Sequence, residues 1–227
     1  MVVPHDMALD RELWRWVPED VSLHLTRTPN HDGEVDSGMI ASISAPEVLT
    51  TAIKDLLATE APVYAYACTS GSFIRGASGE LALVDAMVAA GAPTAVTTSG
   101  AMVAALSHLG ITRVAVATPY DDELTELLGT YLVEHGQALV ATTNLGLRKH
   151  IWQVPYETTA ALVRKADRPE AEAVFVSCTN LPTYDIIAPL EGELGKPVVT
   201  ANQATMWASL RSIGRPAVGP GQWLLAG

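Results

Sequence analysis

The chain has 227 residues, 48% of them hydrophobic and only 6% aromatic; that is enough apolar material for a sizeable core, and the Ala- and Gly-rich composition suits helices packed on a sheet better than a β-sandwich. A formal net charge of -11, with 14 Lys and Arg against 25 Asp and Glu, argues against a nucleic-acid surface, which draws on clustered basic residues. No apolar run reaches the roughly 18 residues of a membrane span, and the opening MVVPHDMALDRELWRW lacks the pattern of an export signal, so the expectation is a cytoplasmic protein with reduced thiols.

Short β-branched runs alternate with longer Ala/Leu-rich stretches, the rhythm of an α/β fold with a mainly parallel sheet. In chain order, a strand is expected at residues 2–4, followed after a polar, periodicity-free loop at 26–37 by a helix at 46–57, with Pro46 at its first position. A strand at 63–67 and a helix at 80–90 come next, then a strand at 95–97 and a helix at 99–109 closed by Gly110. The strand at 114–118 leads into a helix at 121–134, which Asp121 caps and Gly136 ends. The remaining strands are expected at 137–142, 173–177 and 197–200, and the remaining helices at 158–164, 185–194 and 201–210.

One internal similarity stands out. VYAYACTSG, at 63–71, and AVFVSCTNL, at 173–181, both read as a buried strand, a small residue, Cys-Thr and a turn. Cys68 and Cys178, the only two cysteines, lie 178 − 68 = 110 residues apart, close to half the chain. In an open α/β sheet, ligands collect at the carboxyl ends of strands, and a thiol at a helix start is expected to have its pKa lowered. Against this, cysteine is among the residues most often buried as mere filling, and each one alone supports either reading equally. Around the pair, the hydroxyls of Thr69, Ser70 and Tyr120 and the side chains of Thr179 and Asn180 are candidate donors to a substrate carboxylate, with helix capping as the competing role. The six His show no metal-ligand spacing, and neither a phosphate-binding loop, a dinucleotide fingerprint nor a Gly-x-Ser-x-Gly elbow is present. No cofactor and no metal is therefore expected.

CTSGSFIRG at 68–76, VAVATPYDDELTELL at 114–128 and VSCTNLPTYDIIAPLEGELGKPVVTANQATMW at 176–207 resemble the maleate cis-trans isomerase and arylmalonate decarboxylase branch of the Asp/Glu racemase superfamily. The resemblance implies two similar Rossmann-like lobes with parallel sheets related by a pseudo-twofold, with the active site between them. By position, residues 1–95 with 203–227 would form the lobe carrying Cys68, and 96–202 the lobe carrying Cys178. Arylmalonate decarboxylases of this branch keep only the second cysteine, so Cys68 points to the isomerase side. The function implied is cofactor-independent isomerisation of maleate or a related enedioate by addition of Cys68, in a homodimer or higher homo-oligomer. The alternative is racemisation or epimerisation of an amino acid or derivative by two-cysteine proton transfer, including a role in ectoine degradation. A non-catalytic ligand-binding or redox-sensing protein is the reading from another class. Where the isomerases hold substrate carboxylate with asparagines, this chain places Met7 and, near the second position, His150.

Overall fold

Val2 and Val3 are wholly buried and β-branched, which favours extended backbone at a sheet centre. The computed structural model describes residues 1–226 and contains two four-stranded sheets, parallel throughout. The first consists of β1 (Val2–Val3), β2 (Thr26–Arg27), β3 (Tyr64–Tyr66) and β4 (Ala95–Thr97), in the order β2-β1-β3-β4. The second consists of β5 (Arg113–Thr118), β6 (Ala138–Asn144), β7 (Ala173–Val176) and β8 (Val198–Thr200), in the order β6-β5-β7-β8. The two orders are one pattern used twice, and Cys68 and Cys178 follow its equivalent third strands. The similarity of the two cysteine segments is therefore a structural repeat.

The helices are α1 (Asp10–Leu13), α2 (Ser37–Ile43), α3 (Pro46–Leu56), α4 (Thr69–Phe73), α5 (Gly76–Ala89), α6 (Thr98–His108), α7 (Asp122–Glu134), α8 (Tyr156–Ala166), α9 (Ile187–Leu194) and α10 (Ala201–Ser212). Asp121 caps α7 by accepting from Leu124 N, Pro46 opens α3, and Gly110 and Gly136 take positive φ of 70° and 76° after their helices. All seven strands expected from sequence are present. The stretch expected as a loop at 26–37 instead holds edge strand β2 and the start of α2, which Asp36 caps through Met39 N. Two polar residues on a sheet edge carry no alternation, so β2 has no sequence signal. The helix expected from residue 80 begins at Gly76.

The chain crosses from the first sheet to the second through α6, and α10 returns from β8 to pack on α6, β3 and β4. A hydrogen bond between the buried hydroxyls of Thr98 and Thr205, 2.9 Å long, joins these two crossovers. Among the described residues no helix is long and apolar enough to cross a membrane.

Candidate active site

In each sheet the strand order turns back between the first and third strands, so the connections leaving their carboxyl ends diverge and open a crevice. Pro4 and Asp6 follow β1, Cys68, Thr69 and Ser70 follow β3, Tyr120 follows β5, and Cys178, Thr179 and Asn180 follow β7. All of them line one small cavity, of about 30 Å³, between the two sheets. Its remaining wall is apolar: Val35 precedes α2, Met39, Ile40 and Ile43 lie on it, and Ile151 comes from the second half of the chain. A larger apolar cavity of about 90 Å³, lined by residues such as Met1, Tyr64 and Met206, contains neither cysteine.

The two thiols are held differently. Cys68 caps α4, with its Sγ accepting from Gly71 N at 3.3 Å and the Ser70 hydroxyl 3.9 Å away. Gly71 is required here, because a Cβ would collide with the Tyr66 hydroxyl and lie 3.0 Å from Cys68 Sγ. Cys178 has a φ of 88°, rare for a residue with a Cβ, and its Sγ accepts from Asn180 N at 3.3 Å. Such backbone costs about 1–3 kcal/mol and clusters at functional sites. The residues after Cys178 form a turn rather than a helix, so only Cys68 sits at a helix start. Both thiols are free.

The expected lowering of the thiol pKa does not occur at these buried positions. Burial pushes the Cys68 thiol up, against the opposing pull of Gly71 N and of the Tyr66 and Ser70 hydroxyls. Burial pushes Cys178 up to about 12, against Asn180 N and the Tyr120 hydroxyl. The Asp6 carboxylate adds to the rise at both sulfurs. Desolvation of a buried charge outweighs one N–H bond and a single turn of helix. Tyr66 and Tyr120 are held protonated by the same burial and remain donors.

The candidate carboxylate ligands divide into two groups. Thr69 Oγ1 is buried without a partner, the Ser70 hydroxyl has only the long contact to sulfur, and Tyr120 OH receives a bond from Ser177 Oγ while its own proton faces the Cys178 sulfur. Thr69 and Ser70 can donate to an anion, and Tyr120 can do so by giving up the sulfur. Thr179 and Asn180 also line the cavity, but their side chains are engaged: Thr179 Oγ1 donates to Ala67 O, while Asn180 accepts from Ala8 N and donates to Asp6 O and Oδ2. They hold the Cys178 turn against the segment after β1. The buried Glu12 reinforces the same junction by accepting from Thr183 N, Thr183 Oγ1 and Tyr156 OH.

Met7 and His150 are not brought to the cavity. Met7 packs with Val3, Leu13 and Trp16 in a small cluster behind β1, and His150 turns away on left-handed backbone, with φ 56°. Their neighbours Asp6 and Ile151 take the lining positions. Neither Asp6 nor the apolar wall has a sequence signature; Asp6 stands in a Pro-His-Asp-Met-Ala stretch that reads only as the turn after the first strand. Arg75 donates to the carbonyls of Ala41 and Ser44 at the end of α2 and does not line the cavity. No group of three or more His, Cys, Asp or Glu is placed to hold a metal ion among the described residues.

The model of the family described as arylmalonate decarboxylase matches residues 44–225. Among characterised proteins, the chain is 35% identical over 151 residues to an arylmalonate decarboxylase of Bordetella bronchiseptica, a match covering 64% of this chain and 62% of that protein. It is 29% identical over 211 residues to a maleate isomerase of Nocardia farcinica, covering 89% and 82%. The fold superposes with a TM-score of 0.89 on a liganded Gly-to-Cys, Cys-to-Ser double mutant of arylmalonate decarboxylase, at 29% identity, covering all of this chain and 97% of that one. It superposes with a TM-score of 0.87 on a Cys-to-Ser mutant of the Nocardia farcinica maleate cis-trans isomerase with a covalently bound succinylcysteine intermediate, at 25% identity over 99% and 96% of the chains. With its repeated sheet order, its paired cysteine turns and this match, the chain belongs to the arylmalonate decarboxylase family, in the branch of the Asp/Glu racemase superfamily that includes the maleate isomerases.

Proposed function

We propose that the chain is an isomerase of a small carboxylate, with Cys68 and Cys178 working on the reacting carbon from opposite lobes. The observation behind this reading is that both thiols of the chain reach one narrow cavity, beside the hydroxyls of Thr69, Ser70 and Tyr120, of which Thr69 Oγ1 has no partner. The chemistry needs no metal or organic cofactor. With a cis-enedioate such as maleate, Cys68 thiolate adds to one alkene carbon and the displaced electron pair moves toward the carboxylate on the other. The Thr69, Ser70 and Tyr120 hydroxyls stabilise the charge that builds there. The former double bond rotates as a single bond, and expulsion of the thiolate restores the alkene in trans geometry. Cys178 supplies or holds the proton opposite. Similarity to an isomerase that carries a succinylcysteine intermediate supports this order of events. Cys68 suits the nucleophile's role, because Gly71 N and the Tyr66 and Ser70 hydroxyls surround its sulfur.

A second reading is favoured by the Asp6 carboxylate in the lining. Two thiols on opposite faces of an α-carbon can also racemise it, one removing the proton and the other returning one. Proton NMR in deuterated buffer distinguishes the two, with maleate, substituted maleates and α-amino acids as substrates. Alkene isomerisation with a Cys68 mass adduct supports addition; α-proton exchange without an adduct supports racemisation. Absence of both, in a protein that binds these ligands, counts against an isomerase.

A further inference from the structure

We infer that the chain carries a second ligand site, remote from the cysteines, that takes a small uncharged molecule with a compact apolar body and one hydrogen-bonding group. The inference is independent of the isomerase reading, because no residue of this site lines the cysteine cavity. In a parallel sheet every strand presents its carboxyl end on the same side, and both cysteines leave from that side. The recess of about 90 Å³ beside the first sheet lies at the other side: Met1 precedes β1, and Val63 and Tyr64 stand at the start of β3. Leu23 from the loop before β2, Leu56 at the end of α3, and Met206 and Leu210 on α10 complete its apolar wall.

One polar group interrupts that wall. Ser209, on α10 between Met206 and Leu210, is 6% exposed, and its hydroxyl has no hydrogen-bond partner among the described residues. A helical hydroxyl ordinarily returns its proton to a carbonyl one turn back, as Thr205 does to Ala201 O and Ser212 to Ser209 O on the same helix. A buried hydroxyl left unpaired is costly, and a ligand group that bonds it removes the cost. The other polar groups around the recess are engaged or outside it. Tyr64 OH donates to Leu56 O, the Met1 nitrogen donates to His24 O, and Ser22, His24 and Thr59 are exposed at the mouth. No Lys, Arg, Asp or Glu side chain lines the recess. Through Val21, His24, Ala61 and Ile213 it opens onto a surface groove, where Arg215 is already paired with Asp20 at 3.0 Å. A charged ligand buried here finds no counter-ion and bears the cost of desolvation, whereas an apolar body gains by leaving water. The space equals that of roughly six to nine waters, which suits a ligand of about seven heavy atoms such as a phenol.

The test is a methyl NMR titration of the whole protein with phenol and with toluene, which have the same shape and differ in the hydroxyl, in wild type, Ser209→Ala and Ser209→Met. Both ligands are expected to saturate wild type, shifting the methyls of Met206 and Ile213 and leaving those of Met39 and Ile151 in place. Ser209→Ala is expected to weaken phenol about three- to ten-fold, the worth of one net hydrogen bond, and to leave toluene unchanged. Ser209→Met, whose longer side chain fills the recess, is expected to abolish binding of both. Absence of saturable binding to wild type overturns the inference, as do shifts confined to Met39 and Ile151. A phenol-to-toluene affinity ratio unchanged by Ser209→Ala overturns it as well, and so does a folded Ser209→Met protein that binds both ligands like wild type. Should Ser209→Met fail to fold, Ser209→Ala with the ligand pair decides alone.

Discussion

Titration of Cys178 in the ligand-free protein tests whether burial governs this site. With Cys68→Ser leaving a single thiol, the pKa pushed up to about 12 compares with roughly 8.5 for an unperturbed cysteine. At pH 7.5 that shift lowers the thiolate fraction about three thousand-fold. A more basic thiolate is also a better nucleophile, which recovers some tens of that factor. Alkylation of Cys178 by iodoacetamide is therefore expected roughly a hundred-fold slower than for a free thiol on ionisation grounds alone. Burial of Cys178 slows the reagent's approach further, but only ionisation gives a pH slope. Mass-spectrometric rates from pH 6 to 10 should rise about ten-fold per pH unit without a plateau. A plateau below about pH 9 would mean that Asn180 N and Tyr120 outweigh desolvation, and the account of the resting site would be wrong.

Further substitutions probe the surrounding geometry. Cys178→Gly should unfold later than Cys178→Ala by about 1 kcal/mol in denaturant titrations, because only glycine accepts a φ of 88° without strain, while both lose turnover. Gly71→Ala should cost about 1–3 kcal/mol and lower activity by displacing Tyr66 and the Cys68 sulfur; unchanged thermal stability would contradict the packing there. Arg75→Ala removes the donors to Ala41 and Ser44 at the end of α2, so a bulky alkylating reagent should reach Cys68 faster with the pH slope unchanged. Burial pushes the Glu191 carboxyl up to about 7, so its stabilising contribution is complete below the ordinary carboxylate range and is lost as pH rises through 7. Glu191→Gln should be less stable overall, since Val198 N and Trp223 N both bond the carboxylate, yet lose less stability than wild type between pH 5 and 8.

Much of this architecture could be read from the residues. Seven strands, Pro46 and Asp121 at helix starts and the matched cysteine turns are local signals: β-branched runs, proline's fixed φ, an acceptor placed before free N–H groups. Cys68, Thr69, Ser70 and Tyr120 were visible because they follow strands whose carboxyl ends open onto a crevice. The rest depends on contacts distant in sequence. Asn180 reads as a carboxylate ligand until Ala8 and Asp6, more than 170 positions away, occupy its side chain. Asp6 and Ile151 differ from Met7 and His150 by one residue each, and the backbone direction after β1 and before the short turn at Ile151–Gln153 decides which neighbour faces inward. The low thiol pKa expected at a helix start was reversed for the same reason. A one-turn helix stabilises a thiolate locally, whereas desolvation depends on the α2 wall, whose helix had no clear pattern in sequence.

That wall also connects resting chemistry to turnover. The space at the two sulfurs is narrow, about 30 Å³, room for about two waters. Met39, Ile40 and Ile43, which line it, sit on one short helix whose end Arg75 binds. Burial here disfavours the thiolate at both sulfurs. A ligand that brings hydrogen-bond donors to the sulfurs would oppose that burial, because what suppresses the thiolates is burial first and the Asp6 charge second.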